Sequence, residues 1–223
     1  PRILTKTTWT EKIFLDRSKR DKKRNRKIEN KNLMKKIIAG VDEAGRGSLI
    51  GPVYAAAVIL KKNINKKSLK DSKKISKQKR EVLDKYIKKN SIWSVGSASV
   101  KEIERLNILN ATLLAMKRAI RKLKKKPNLT LIDGNKTPHM PYYNLRYIVK
   151  GDQKIAEISA ASIIAKVSRD KVIKNLSKKF SGYFWDKNYG YGTKKHISAI
   201  KKLGVTVYHR KKFKPIHNIL IKK

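Results

Sequence analysis

The chain contains no cysteine. That removes disulfides, thiolate metal sites and a cysteine nucleophile from consideration. Histidine is nearly as scarce, with four residues scattered along the sequence, which argues against a zinc cluster. No apolar run approaches the roughly 20 residues of a membrane-spanning helix, because lysine interrupts each one. The N-terminus has no apolar signal core. These absences point to a reducing, cytoplasmic setting away from membranes. Acidic residues are the scarce charge: 16 Asp and Glu stand against 58 Lys and Arg in 223 residues, a net charge of +42. With a sequence pI of about 10.5, the simplest partner is a polyanion such as nucleic acid. A coding sequence biased toward A and T would also enrich Lys, Ile and Asn, but it does not explain where the remaining acids sit.

What is present suffices for one core. Hydrophobic residues make up 39% and aromatics 7%, and the length fits one domain with an appendage. Residues 1–34 read as a basic, disordered N-terminal extension. Within it, RSKRDKKRNRKIENK (17–31) has almost no apolar periodicity. Met34 is a candidate alternative initiator, which would make residues 1–33 dispensable. Residues 35–223 read as one compact domain. Buried strands are expected at 36–41 and 53–60, joined by a glycine-rich turn, and at 92–100, 129–132 and 145–149. Helices are expected after an N-cap at Ser76, at 110–123, at 155–176, and from Thr193 to a stop at Gly204. Three early strands followed by strand–helix alternation indicate an α/β domain with a mixed sheet flanked by helices.

The acids fall at strand ends. Asp42 and Glu43 close the first strand, Asp133 closes LTLI, and Asp152 follows LRYIV just before the long helix. In α/β sheets such ends are where sites are built. Neighbouring strands would gather these carboxylates, and in so basic a chain their repulsion calls for cations among them. Oxygen-only ligands suit Mg²⁺ or Mn²⁺, and a pair of such ions about 3.5–4 Å apart suits phosphodiester cleavage. Each acid taken alone also fits a turn or helix cap: Asp152 as an N-cap, Asp133-Gly134 as a turn. Asp42 and Glu43 can share a site only if the strand ends between them, since adjacent strand residues face opposite sides. Asp170 lies about 27 Å further along the long helix and is left out of the site.

Gly45-Arg46-Gly47 adjoins the first two acids. Its glycines would let backbone approach a ligand closely, and Arg46 could grip a phosphate. Tyr183, Phe184, Trp185, Tyr189 and Tyr191 cluster among lysines. Phe184 and Trp185 read as a small satellite core. Tyr191, between two glycines, reads as a stacking residue for nucleic acid.

These residues resemble type 2 ribonuclease H, ribonuclease HII. The likeness runs from about residue 36 to 216 and is carried by AGVDEAGRGSLIGPVYAAAVIL (39–60), DSKKIS (71–76), LNILNATLLAMKRAI (106–120), LIDGN (131–135), VKGDQKIAEISAASIIAKVSRD (149–170), GYGTKKH (190–196) and HRKKF (209–213). It implies a ribonuclease H-like fold with a small helical C-terminal part. It also implies an endonuclease acting as a monomer on RNA–DNA hybrids and on ribonucleotide-containing duplex DNA. The family's cut falls 5′ of the ribonucleotide and leaves 3′-hydroxyl and 5′-phosphate ends. Its four metal-binding acids fall on Asp42, Glu43, Asp133 and Asp152, holding two Mg²⁺ or Mn²⁺ ions. Its 2′-hydroxyl sensor falls on Gly45, Arg46 and Gly47, and its junction-reading tyrosine on Tyr191. Arg46 favours type 2 over type 3. Ser48 departs from the family's usual proline and is expected to loosen the loop after Gly47.

Two other classes fit part of the pattern. A non-catalytic, ribosomal-protein-like binder fits the charge but gains nothing from four acids at strand ends, and it would not need a divalent metal. A transposase-type two-metal nuclease shares the acids but has no use for Gly45-Arg46-Gly47 or Tyr191.

Overall fold

The structure, a computed structural model, describes residues 37–62, 64, 65, 69 and 76–221. The expected N-terminal extension, Met34 and most of the DSKKIS motif lie outside the described residues. Five strands form one mixed sheet in the order β3-β2-β1-β4-β5. They are β1 (Ile38–Ala44), β2 (Val53–Leu60), β3 (Ser91–Ala98), β4 (Leu129–Asp133) and β5 (Leu145–Ile148). The first three form an antiparallel meander, whereas β4 runs parallel to β1 and β5 parallel to β4.

The helices are α1 (Lys77–Lys89), α2 (Val100–Arg121), α3 (Gly151–Lys154), α4 (Ala156–Lys179), α5 (Trp185–Asn188), α6 (Lys194–Leu203) and α7 (Lys214–Ile221). Among the described residues, no helix is long and apolar enough to cross a membrane.

The strand β2 reads as a continuous apolar run because both its faces are covered. Val53, Ala55 and Ala57 join the core under α2, while Ala56 and Val58 join the core under α4. Alanine dominates because the two helices lie close to the sheet. Gly40 in β1 shows how close: a Cβ there would overlap the backbone of Glu157 and Ile158 in α4. This contact places the start of α4 directly over β1, two residues before Asp42. A third, smaller core joins Leu49 and Ile50 to Tyr183, Trp185, Ile200 and Ile216, and it forms the helical C-terminal part.

The expected strands and helices occur in the expected order, with differences at their ends, and three further helices, α3, α5 and α7, are present among the described residues. A capping box at Ser99 and Glu102 starts α2 well before residue 110. The expected helix is its second segment, restarted after Asn107 (φ 67°), whose side chain accepts a hydrogen bond from the Asn110 amide at 3.0 Å. The short helices α3 and α5 carry too few residues to show an apolar period.

Candidate active site

Parallel pairing of β1 with β4 puts the carboxyl ends of both strands on one side. Val41 pairs with Ile132, so Asp42 and Asp133 come next, side by side. Asp42 is buried and shares a face of β1 with Gly40, beneath α4. Its carboxylate accepts the Glu43 amide hydrogen at 2.7 Å and is hydrogen-bonded to Ser162 of α4. Asp133 ends β4. Its Oδ1 accepts the amide of Gly151 at 2.7 Å and that of Asp152 at 3.4 Å. Asp133 thereby fixes the start of α3 and the place of Asp152, which is buried.

Two sequence expectations need correcting. The strand does not end between Asp42 and Glu43: both are paired residues of β1, opposite Ala56 and Ala55. They share the corner because Glu43, two residues from the turn, stays within electrostatic range of Asp42 and Asp133. Asp152 does not lead straight into the long helix but sits in the separate α3. It caps neither helix: Lys150, in the left-handed region (φ 55°), precedes α3, and Ile155 precedes α4 without a side-chain cap. Asp170, set aside from the site, pairs with Lys166 at 3.0 Å and Arg169 at 3.4 Å.

The corner is short of positive charge. Burial, then repulsion from Glu43 and Asp133, pushes the Asp42 carboxyl well above the usual carboxylate range. Burial raises that of Glu43 too; Arg46 opposes the shift and Asp133 adds to it. Among the described residues, no three acidic or histidine side chains converge as a ready-made metal cage. One oxygen of Asp133 is spent on backbone amides. The donor set nonetheless fits hard divalent cations. It is all oxygen, and the upward shift of Asp42 is what a nearby cation would relieve.

The turn after β1 opens onto a cleft of about 390 Å³ lined by Glu43, Gly45, Arg46, Gly47, Lys166 and Tyr191. Gly45 holds φ 95°, a conformation that glycine permits. Arg46 is half exposed and pairs with Glu43 at 3.4 Å. Tyr191 is 38% exposed, and its ring centroid lies 5.4 Å from Lys166 Nζ and 5.4 Å from the Arg169 guanidinium carbon. The turn and Tyr191 thus face one cleft, with Glu43 as the acid that lines it.

Trp185 is fully buried, as a satellite core requires, but Phe184 is 44% exposed. The indole N–H of Trp185 donates to His196 Nε2 at 2.9 Å. The remaining proton of a neutral His196 therefore sits on Nδ1 and is donated to the Tyr191 carbonyl at 2.9 Å. Burial lowers the His196 pKa and keeps this tautomer neutral.

Sequence reasoning missed His196, Arg169 and Arg210. Arg210, fully buried, donates to the Arg46 carbonyl at 2.9 Å and the Gly51 carbonyl at 3.0 Å. A signal did exist for Arg169: it falls between Ala165 and Ile173 at four-residue steps on the apolar stripe of α4. Ser48 does not loosen its loop. It is fully buried and bonded to Ile50, Gly190 and Arg169.

A mixed five-stranded sheet in this order, flanked by helices, defines a protein of the ribonuclease H-like fold. The chain resembles the crystal structure of the ribonuclease H2 from Pyrococcus horikoshii OT3, with a TM-score of 0.71 and 25% identity over 83% of this chain and 97% of that one. It shares its fold with Bst-RNase HIII, solved in complex with Mn²⁺, at a TM-score of 0.68 and 16% identity over 83% of this chain and 70% of that one. It is 69% identical to the ribonuclease HII of Pelagibacter ubique (strain HTCC1062) over 185 residues, covering 83% of this chain and all of that one. The ribonuclease HII family pattern matches residues 39–216, and the chain belongs to that family. It is accordingly a ribonuclease H endonuclease, a hydrolase acting on RNA–DNA hybrids. This answers the alternatives of a non-catalytic binder and a transposase-type enzyme.

Proposed function

We propose that this endonuclease cuts the RNA strand of hybrids and also cuts 5′ of single ribonucleotides embedded in duplex DNA, leaving 3′-hydroxyl and 5′-phosphate ends. The observation that carries the reading is the shared cleft. The acid Glu43, the Gly45-Arg46-Gly47 turn and Tyr191 line one concavity, and Asp42 and Asp133 lie within electrostatic range of Glu43 behind it.

Asp42, Glu43, Asp133 and Asp152 would hold two Mg²⁺ or Mn²⁺ ions, which when bound supply Lewis-acid activation of water and stabilisation of the leaving 3′-oxygen. The chain's own groups do the rest. The backbone at Gly45 and Gly47 approaches the 2′-hydroxyl, the group that tells RNA from DNA. Tyr191 stacks on the adjoining deoxyribose, and Arg46 steadies the phosphate between them. The many lysines hold the duplex backbone without reading sequence, so affinity falls steeply as salt rises.

The test is cleavage of a duplex with one embedded ribonucleotide, with and without EDTA. A cut on the 5′ side that vanishes with EDTA is expected. An uncut duplex, or cutting that persists in EDTA, overturns the reading.

A further inference from the structure

The turn at residues 45–47 and the loop carrying Tyr191 are far apart in sequence but are joined at one hydroxyl. The Oγ of Ser48 accepts a hydrogen bond from Arg169 Nη2 at 2.6 Å. The same oxygen lies 3.1 Å from the carbonyl oxygens of Ile50 and Gly190 and 3.4 Å from that of Tyr189, 141 residues away. Its single proton serves one carbonyl at a time, while its lone pairs take the arginine. The Leu49 amide donates to the same Gly190 carbonyl at 2.8 Å. Arg169 is fully buried. Its guanidinium carbon sits 5.4 Å from the Tyr191 ring centroid, and its Nε packs against Gly45, 3.0 Å from where a Cβ would stand. A single guanidinium on α4 thus touches both ends of the turn and the tyrosine ring. On the far side of the loop, His196 holds the Tyr191 carbonyl.

We propose that Ser48 and Arg169 are positioning residues that lock the Gly45-Arg46-Gly47 turn to the Tyr191 loop, holding the 2′-hydroxyl reader and the stacking ring at one fixed spacing. The proposal rests on the reading of those two elements given above. It predicts an asymmetry between substrates. A lone ribonucleotide offers one 2′-hydroxyl and one junction, so both readers must be in register at once. A continuous RNA strand offers a 2′-hydroxyl in every register and tolerates a turn that has shifted. A serine hydroxyl does this coupling; a proline at position 48 would lack both the hydroxyl and the amide that reaches the Gly45 carbonyl at 3.4 Å.

The experiment compares kcat/KM on a lone-ribonucleotide duplex and on a continuous hybrid for the wild-type chain, Ser48→Ala, Arg169→Lys, Tyr191→Ala and the Ser48→Ala/Tyr191→Ala double variant. Ser48→Ala removes one hydroxyl and keeps the buried volume nearly unchanged. It should lower lone-ribonucleotide cleavage about tenfold, the scale of one buried hydrogen bond lost from an aligned site, and hybrid cleavage by less than about twofold. Arg169→Lys, which keeps the charge but loses the fork, should shift selectivity in the same direction. In the Tyr191→Ala background the selectivity effect of Ser48→Ala should vanish, since the coupled partner is gone. Equal losses on the two substrates, or a selectivity loss that persists without the Tyr191 ring, overturn the proposal while leaving the function standing. A wild-type chain that leaves the lone-ribonucleotide duplex uncut overturns both.

Discussion

Buried charges of both signs lie around the end of β1, and the fold treats the two signs oppositely. Asp42 is roofed by α4 and its carboxyl is driven upward, with Glu43 and Asp133 adding to the effect of burial. Arg169 and Arg210 are buried as completely. Burial lowers both; for Arg210, repulsion from Arg169 adds to it and the pKa falls to about 9. The acids repel one another, whereas Arg210 is held by the carbonyls of Arg46 and Gly51 and Arg169 by the Ser48 hydroxyl and the Asp170 carboxylate. Charge left under-compensated calls for a counter-ion, and charge wired to the residues of a loop holds that loop still.

The sharpest way to break this comparison is at Asp42. Asp42→Asn should lower cleavage by about a thousandfold or more if Asp42 is the proposed ligand to the activating ions. It should also raise the thermal midpoint of the metal-free protein. The unfolded carboxyl ionises in the ordinary range, and the folded one keeps its proton to higher pH. Its stability deficit is thus absent in acid, grows as pH rises past the unfolded value and is complete above the folded one. Unchanged cleavage, or a lowered midpoint at neutral pH, would show that Asp42 is an ordinary satisfied side chain. For the opposite sign of charge, Arg210→Met should cost about 2 kcal/mol in urea denaturation, since it strands two carbonyls. A neutral result would place the arginines on the side of function rather than structure.

Two smaller effects refine the picture. Tyr191→Ala should lose about tenfold more activity on lone ribonucleotides than on continuous hybrids, the scale of one stacking contact; equal losses would remove its junction role. The smallest effect lies in the satellite core. Burial and the neighbouring His196 lower His209 from 6.5 to about 4. Its contribution to stability is intact above 6.5 and is lost as pH falls toward the folded value. His209→Gln should therefore flatten the decline of the denaturation midpoint just below 6.5, and an unaltered slope would exclude His209 as the titrating group.

The carboxylates were legible in the sequence because acids are rare and strand ends are easily marked by Gly and Asp. Their gathering was only conditional in the sequence, because buried strands at β1 and β4 do not reveal that the two are neighbours; the parallel pairing supplies that. The wiring around them was not legible. Arg169 and Arg210 stand among 58 basic residues, so nothing in composition separates a buried guanidinium from a solvated one. Ser48 looked like the loss of a stiff residue, because a hydroxyl's partners 141 positions away leave no local trace. The helix α3 was invisible for a different reason: four residues carry no period, and the left-handed Lys150 that starts it is not a residue type that advertises such a turn.

The bond from the Ile37 amide to the Asn128 side chain, at 2.8 Å, spans 91 positions, and it stands at the start of the β1–β4 pairing. The distance between Asp42 and Asp133 is therefore set by a strand pair that closes late in the growth of the chain. While the ribosome is still adding the residues before β4, Asp42 and Glu43 have been made, but the corner has no second wall. A nascent chain held near the translating nucleic acid carries many cations and no closed acidic corner. The corner closes only with the parallel strand pair, and after it the segment from 145 to 152 brings Asp152 alongside Asp133. The acidic corner thus cannot close before residue 152 has been made.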